Sequence, residues 1–269
     1  SPNMIVENLV DDKNEFKGYS LIQQYNCQGC HIIEDFGGQI ADIIGKPEYS
    51  PPNLNTQGIK TQPDWLFTFF KNPSIIRPNL QVRMPSFTMF NDDDWNSVIG
   101  AFQHMENHNL SFETAHNIDK STIEFKAANK LHEFGACNNC HFYGEVKPIQ
   151  GPATWAPNLA LTKDRLRHDW VIEWLRNPQS IMPGTKMPAP YLPTSDLLTI
   201  DGAEDTWGKY LVQLNGDNDL MLKGLTDYIY SIPGKIDISD YVRDYFKTNG
   251  YDFDSGDDEE EDDDWDEDW

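Results

Sequence analysis

Cys27-Gln28-Gly29-Cys30-His31 and Cys137-Asn138-Asn139-Cys140-His141 are two copies of one pattern, C-x-x-C-H, and together they use all four cysteines of the chain. Taken alone, such a run fits a thioredoxin-like redox pair, half of a zinc site, or the attachment of a c-type haem. In the last case both thiols form thioethers to the vinyl groups and the adjacent histidine ligates iron. A zinc site built from both pairs would need the two halves to meet. Each pair instead carries its own downstream partner residues, so the duplication favours two covalently bound haem c groups.

The rest of the chain repeats as well. Pro52-Asn53-Leu54 recurs as Pro157-Asn158-Leu159, Trp65 as Trp170, and Lys71-Asn72-Pro73 as Arg176-Asn177-Pro178, each 105 residues later. Met84-Pro85 recurs as Met187-Pro188. An internal repeat of this kind is the signature of two copies of one structural unit. The cysteines lie 110 residues apart, so the first copy has the longer connection between its C-x-x-C-H run and its Pro-Asn-Leu element, a difference that loops absorb at small cost.

With these landmarks in hand, each half resembles a class I cytochrome c module, over most of residues 12 to 108 and 122 to 232. The resemblance implies an all-α fold: two tandem cytochrome c-type helical haem domains plus an acidic C-terminal tail. It also implies an axial ligand set of His31 and Met84 in the first module and His141 and Met187 in the second. Cys27, Cys30, Cys137 and Cys140 carry the thioethers. A proline carbonyl is expected to hold the other ring nitrogen of each ligand histidine, which fixes ring orientation and basicity. Pro52 and Pro157 match the repeat, with Pro51 and Pro152 as neighbouring alternatives. Met89 and Met182 lie close to the chosen methionines but have no counterpart in the other half. His104, His108, His116, His132 and His168 are read as packing or surface histidines.

The implied boundaries are 1–115 for the first module, 116–235 for the second, with an insertion at about 189–217, and 236–269 for a linker and an acidic, aromatic tail. Helical spacing is expected over 14–26 and 122–135, leading into the cysteines with Leu21 and Leu131 in register. Trp65 with Phe69, and Trp170 with Trp174, are i, i+4 aromatic pairs in short helices that stop before Pro73 and Pro178. The closing helices are expected to start at Asn91 and at Asn218. Within the insertion, Pro190, Pro193 and Gly202 point to loop and Glu204 to Leu214 to a single helix, serving either as a cover for the haem edge, as a docking element, or as a plain surface loop. Tyr241, Val242, Tyr245 and Phe246 show helical spacing.

The formal charge is −23, from 44 acidic and 21 basic side chains, and residues 252–269 contribute thirteen of the acids and no base. Such a field disfavours nucleic acid and anionic lipid and favours redox protein partners with a basic docking surface. Lys163, Arg165, Arg167, Arg176 and Lys186 form a candidate basic patch in the second module; the tail, with the aromatic anchors Phe253, Trp265 and Trp269, is read as a partner-docking element rather than a solvated one, and one hypothesis is that it folds onto this patch and gates docking. No apolar run is long enough to span a bilayer, so no transmembrane segment is expected. The start at Ser1-Pro2-Asn3 fits a mature product whose export signal is gone. The resemblance implies attachment of haem outside the cytoplasmic membrane, hence a periplasmic or otherwise extracytoplasmic protein.

Methionine raises the potential of haem iron relative to two histidines, and two filled axial positions leave only electron transfer. The expected function is therefore that of a dihaem c-type cytochrome, carrying out reversible one-electron transfer between redox partners in an extracytoplasmic electron-transport or respiratory chain. The alternatives are a dihaem cytochrome c peroxidase-like enzyme, which needs one open iron site, and a haem-bearing docking subunit of a larger respiratory complex.

Overall fold

Two long helices frame each half of the molecule. The structure, a computed structural model, describes residues 12–45, 49–78, 80, 82–106, 116–234, 242–244 and 248. It is mostly helical, with one small two-stranded sheet. In the first half an entry helix (Asp12–Gln24) packs along a closing helix (Asp92–Met105). In the second half the entry helix Ile123–Gly135 packs along the closing helix Asn218–Tyr230 in the same way. Each pair approaches closely at one glycine. A Cβ on Gly18 would sit 2.0 Å from the Ser97 carbonyl oxygen, and one on Gly224 2.1 Å from that of Glu124.

Two buried apolar clusters follow from this pairing. The first gathers Ile22, Leu66, Phe70, Trp95, Val98, Ile99 and Phe102 from the entry, middle and closing helices. Ile22 takes the deepest place on its helix; Leu21, expected there, is half-buried beside it. The second cluster gathers Leu131, Trp170, Leu175, Leu222, Leu225 and Ile229, together with Leu198, Leu211 and Leu214 from the insertion.

The insertion is thus part of the second core rather than a surface loop. It forms three short helices, Ser195–Leu198, Ala203–Trp207 and Lys209–Gln213. The single helix expected over 204–214 is broken at Gly208, whose φ of 76° and ψ of 149° no helix accommodates. The first closing helix begins where expected. Asn91 accepts from the Asp94 amide while the Asp94 carboxylate accepts from the Asn91 amide, a capping box. The second starts at Asn218 but is capped by Asp217, whose carboxylate accepts from the amides of Asp219 and Leu220. Both residues are good cap formers, and the one whose side chain reaches back to the first turn takes the role.

Val242, in the segment with expected helical spacing, is fully buried against Phe142 and Trp155 of the second half, with Ile75 of the first half packed on the same cluster. Tyr241, Tyr245, Phe246 and the tail 252–269 lie outside the described residues, as does His108. Among the described residues no helix is long and apolar enough to cross a membrane.

Candidate functional site: two cysteine-histidine loops and the seam between them

After each entry helix a residue with left-handed backbone, Asn26 (φ 51°) or Ala136 (φ 47°), stands immediately before the first cysteine. This reversal turns the chain off the helix axis and into the turn that carries the two cysteines. Cys27–Cys30 forms a short helical turn and Cys137–Asn139 a 3₁₀ turn. In both, the amide of the histidine donates to the carbonyl of the first cysteine, at 2.9 Å for His31 and 2.9 Å for His141. All four cysteines are free thiols and half-buried. Burial pushes the Cys27 and Cys137 thiols above their usual value, so they rest as neutral thiols.

The two histidines are held alike. His31 Nδ1–H donates to the Pro52 carbonyl at 2.8 Å, and His141 Nδ1–H to the Pro157 carbonyl at 2.7 Å. Of the neighbouring candidates, Pro51 and Pro152 do not take this role. A carbonyl can only accept, so each ring carries its proton on Nδ1 and keeps a lone pair on Nε2. Burial lowers both imidazoles below their ordinary pKa, against the opposing pull of the proline carbonyls. Nε2 of neither ring makes a hydrogen bond among the described residues. A second bond locks each loop: the Leu54 amide donates to Ile32 and the Leu159 amide to Phe142, both at 2.9 Å.

The methionines reach the same clusters. Met84 packs half-buried on the first apolar cluster, as does Cys27, and Met187 on the second. Trp174 Nε1–H donates to Met187 Sδ at 2.9 Å. Met89, by contrast, is 63% exposed. Trp65 stacks on Phe69 with centroids 5.0 Å apart, and Trp170 on Trp174 at 5.3 Å, so both aromatic pairs sit on the faces their spacing predicts. Three of the remaining histidines have partners of their own: His132 bonds the Tyr143 hydroxyl, His168 is buried against Asp227 at 2.7 Å, and His116 stacks on His168.

Where the halves meet, equivalent residues pair with each other. Thr61 bridges Leu166 in antiparallel fashion, the Gln62 amide donates to the Arg165 carbonyl at 2.8 Å, and the Arg167 amide donates to the Lys60 carbonyl at 2.9 Å. Lys60, Thr61 and Gln62 precede Arg165, Leu166 and Arg167 by the same 105 residues as the other landmarks, so the seam has the reciprocal character of a two-fold interface within one chain. Lys60 Nζ lies 5.2 Å from the Trp170 ring centroid, and the Arg165 guanidinium 5.4 Å from that of Trp65.

This placement takes Arg165 and Arg167 out of the expected basic patch, while Lys163, Arg176 and Lys186 stay at the surface. Arg165 and Arg167 turn into the seam instead of facing a partner, Arg176 is paired with Asp219 and Glu173, and Lys186 lies against Tyr49. The seam residues went unrecognised in the sequence because polar side chains read locally as surface. The repeat held the signal, since Lys60 and Arg165 share its offset.

Comparison with protein-family models, with curated proteins and with solved structures gives no match for this chain.

Proposed function

We propose that this chain is a dihaem c-type cytochrome, an electron carrier that exchanges single electrons reversibly with redox protein partners in an extracytoplasmic electron-transport chain. The observation that carries the reading is the duplicated loop. Twice, a pair of free thiols one helical turn apart precedes a neutral histidine whose Nδ1–H is tied to a proline carbonyl and whose Nε2 keeps its lone pair. That donor set fits haem c: Cys27 and Cys30, or Cys137 and Cys140, for the two thioethers, and His31 or His141 for the proximal position. Met84 and Met187, packed on the two apolar clusters, would offer it soft sulfur ligands.

Bound haem supplies a one-electron ferric/ferrous couple. The chain's own residues set the conditions for it. The Pro52 and Pro157 carbonyls fix the imidazole planes and raise ligand basicity. The apolar clusters exclude water, and the Trp174 indole orients the Met187 thioether. A histidine nitrogen and a methionine sulfur in each half would together fill the iron's open positions and leave none for peroxide or oxygen, which favours a carrier over a peroxidase.

Attachment to the cysteines makes a direct test. Intact-mass measurement of the denatured, exported protein should show two haem additions, falling to one in Cys137→Ala/Cys140→Ala. A chain that carries no added mass after export with haem supplied contradicts the reading.

A further inference from the structure

Besides Arg167, three cations gather at the seam, and among the described residues no carboxylate acts on them. Lys60 is buried and lies over Trp170, and Arg165 lies over Trp65 with its Nε buried and unbonded. Arg77 donates to the Ser50 carbonyl at 2.5 Å. Among the described residues none of the three has an ion-pair partner. They repel one another instead. Burial pushes Lys60 well down from its ordinary value, with Arg165 and Arg77 adding to the shift. Burial brings Arg77 to about 10, and Arg165 to about 10 with Arg77 adding to the effect. Buried like charges are costly unless an anion joins them.

The group that fits is a carboxylate-bearing one held in the same place. Arg77 and Lys60 are the charged neighbours of His31, whereas His141 has only His132. In the repeat, Arg77 falls opposite Met182, so the second half has no matching cation. Of these three cations two belong to the first half and one, Arg165, to the second, and the two from the first half are the ones that act on His31.

On the reading of the chain as a dihaem protein, we propose that Lys60, Arg77 and Arg165 receive the propionate carboxylates of the haem attached at Cys27 and Cys30, and raise its reduction potential above that of the haem at Cys137 and Cys140. A cation near the iron favours the added electron, and burial makes its effect large. The second half, through Arg165, thereby sets the potential of the first.

Redox titration of the haem-loaded protein tests this, with the first haem identified by the large downward shift that Met84→His gives it. In Arg165→Met, the reduction equilibrium of the first haem should move at least tenfold toward the ferric form, about 59 mV for one electron. The second haem should move less, and Arg165→Lys should recover most of the loss. If Arg165→Met fails to load haem, Arg77→Met is read in the same way, with the same expected result. Two haems bound with both potentials unchanged, a shift confined to the second haem, or a wild-type first haem of lower potential overturns the inference and leaves the proposed function standing. A wild-type chain without haem removes both.

Discussion

The two halves solve one packing problem with the same dipeptide placed on opposite helices. In the first half Lys17-Gly18 lies on the entry helix: Gly18 lets the closing helix approach, and Lys17 pairs with Asp94 of that helix at 2.7 Å. In the second half Lys223-Gly224 lies on the closing helix: Gly224 meets the entry helix, and Lys223 pairs with its Glu124 at 3.2 Å. What the repeat preserves is the crossing, not the residue that permits it. The surroundings differ too. The first core is closed by an aromatic group, Phe70, Phe87 and Phe90 around Trp95, and the second by leucines of the insertion.

The largest expected difference between the halves comes from a buried pair in the second that, among the described residues, has no counterpart in the first. Asp227 bonds His168 at 2.7 Å and Lys223 at 2.8 Å, tying the helix His168–Arg176 to the closing helix. Asp227→Asn should cost about 4 kcal/mol, the range for breaking a buried pair by removing one partner. The loss should be confined to the second half's unfolding transition. The sign with pH is defined. Burial alone would raise the Asp227 carboxyl, but His168 and Lys223 outweigh it and hold it below its ordinary value. The stability it contributes is complete above an unfolded carboxylate's pKa of about 3.9 and is lost as the pH falls through that value toward the folded one. Denaturant melts between pH 3 and 7 should show this acid limb in the wild type and a flatter one in the variant.

Filling the crossing should come next. Gly18→Val and Gly224→Val each force two backbones apart, at about 3 kcal/mol, and each should lower the melting of its own half alone. If Gly18→Val destabilised both halves equally, the independence of the two crossings would be lost. Leu211→Ala should destabilise the second half by about 2.5 kcal/mol, because Leu211 is 1% exposed within the core. A surface-loop role for the insertion predicts no change. The caps give the smallest effects. Asn91→Ala and Asp217→Ala should each cost about 1 kcal/mol, and Asn218→Ala much less, in thermal melts.

Much of this was legible in the chain. The long amphipathic helices, the stacked pairs Trp65–Phe69 and Trp170–Trp174, and the Asn91 cap follow from spacing and cap chemistry, which are local. The paired landmarks also pointed to His31, His141, Pro52 and Pro157 as groups that belong together. The path of the insertion was not legible, because whether Leu211 or Leu214 finds a core depends on what lies against it. The choice of Asp217 over Asn218 turned on one residue of helix register. The seam was hardest to read: Lys60 and Arg165 are ordinary surface residue types, buried only because segments 105 residues apart meet.

Two histidine–methionine haem sites are what the proposed function requires, and one optical measurement reaches both. Spectra of the oxidised and reduced protein should show two low-spin haems per chain, with the far-red methionine-to-ferric band at a strength of two. Met84→Ala and Met187→Ala should each remove half of that band. High-spin iron or half of the band in the wild type would contradict paired methionine ligation and favour an open, peroxidase-like site, and a spectrum without haem would contradict the account as a whole.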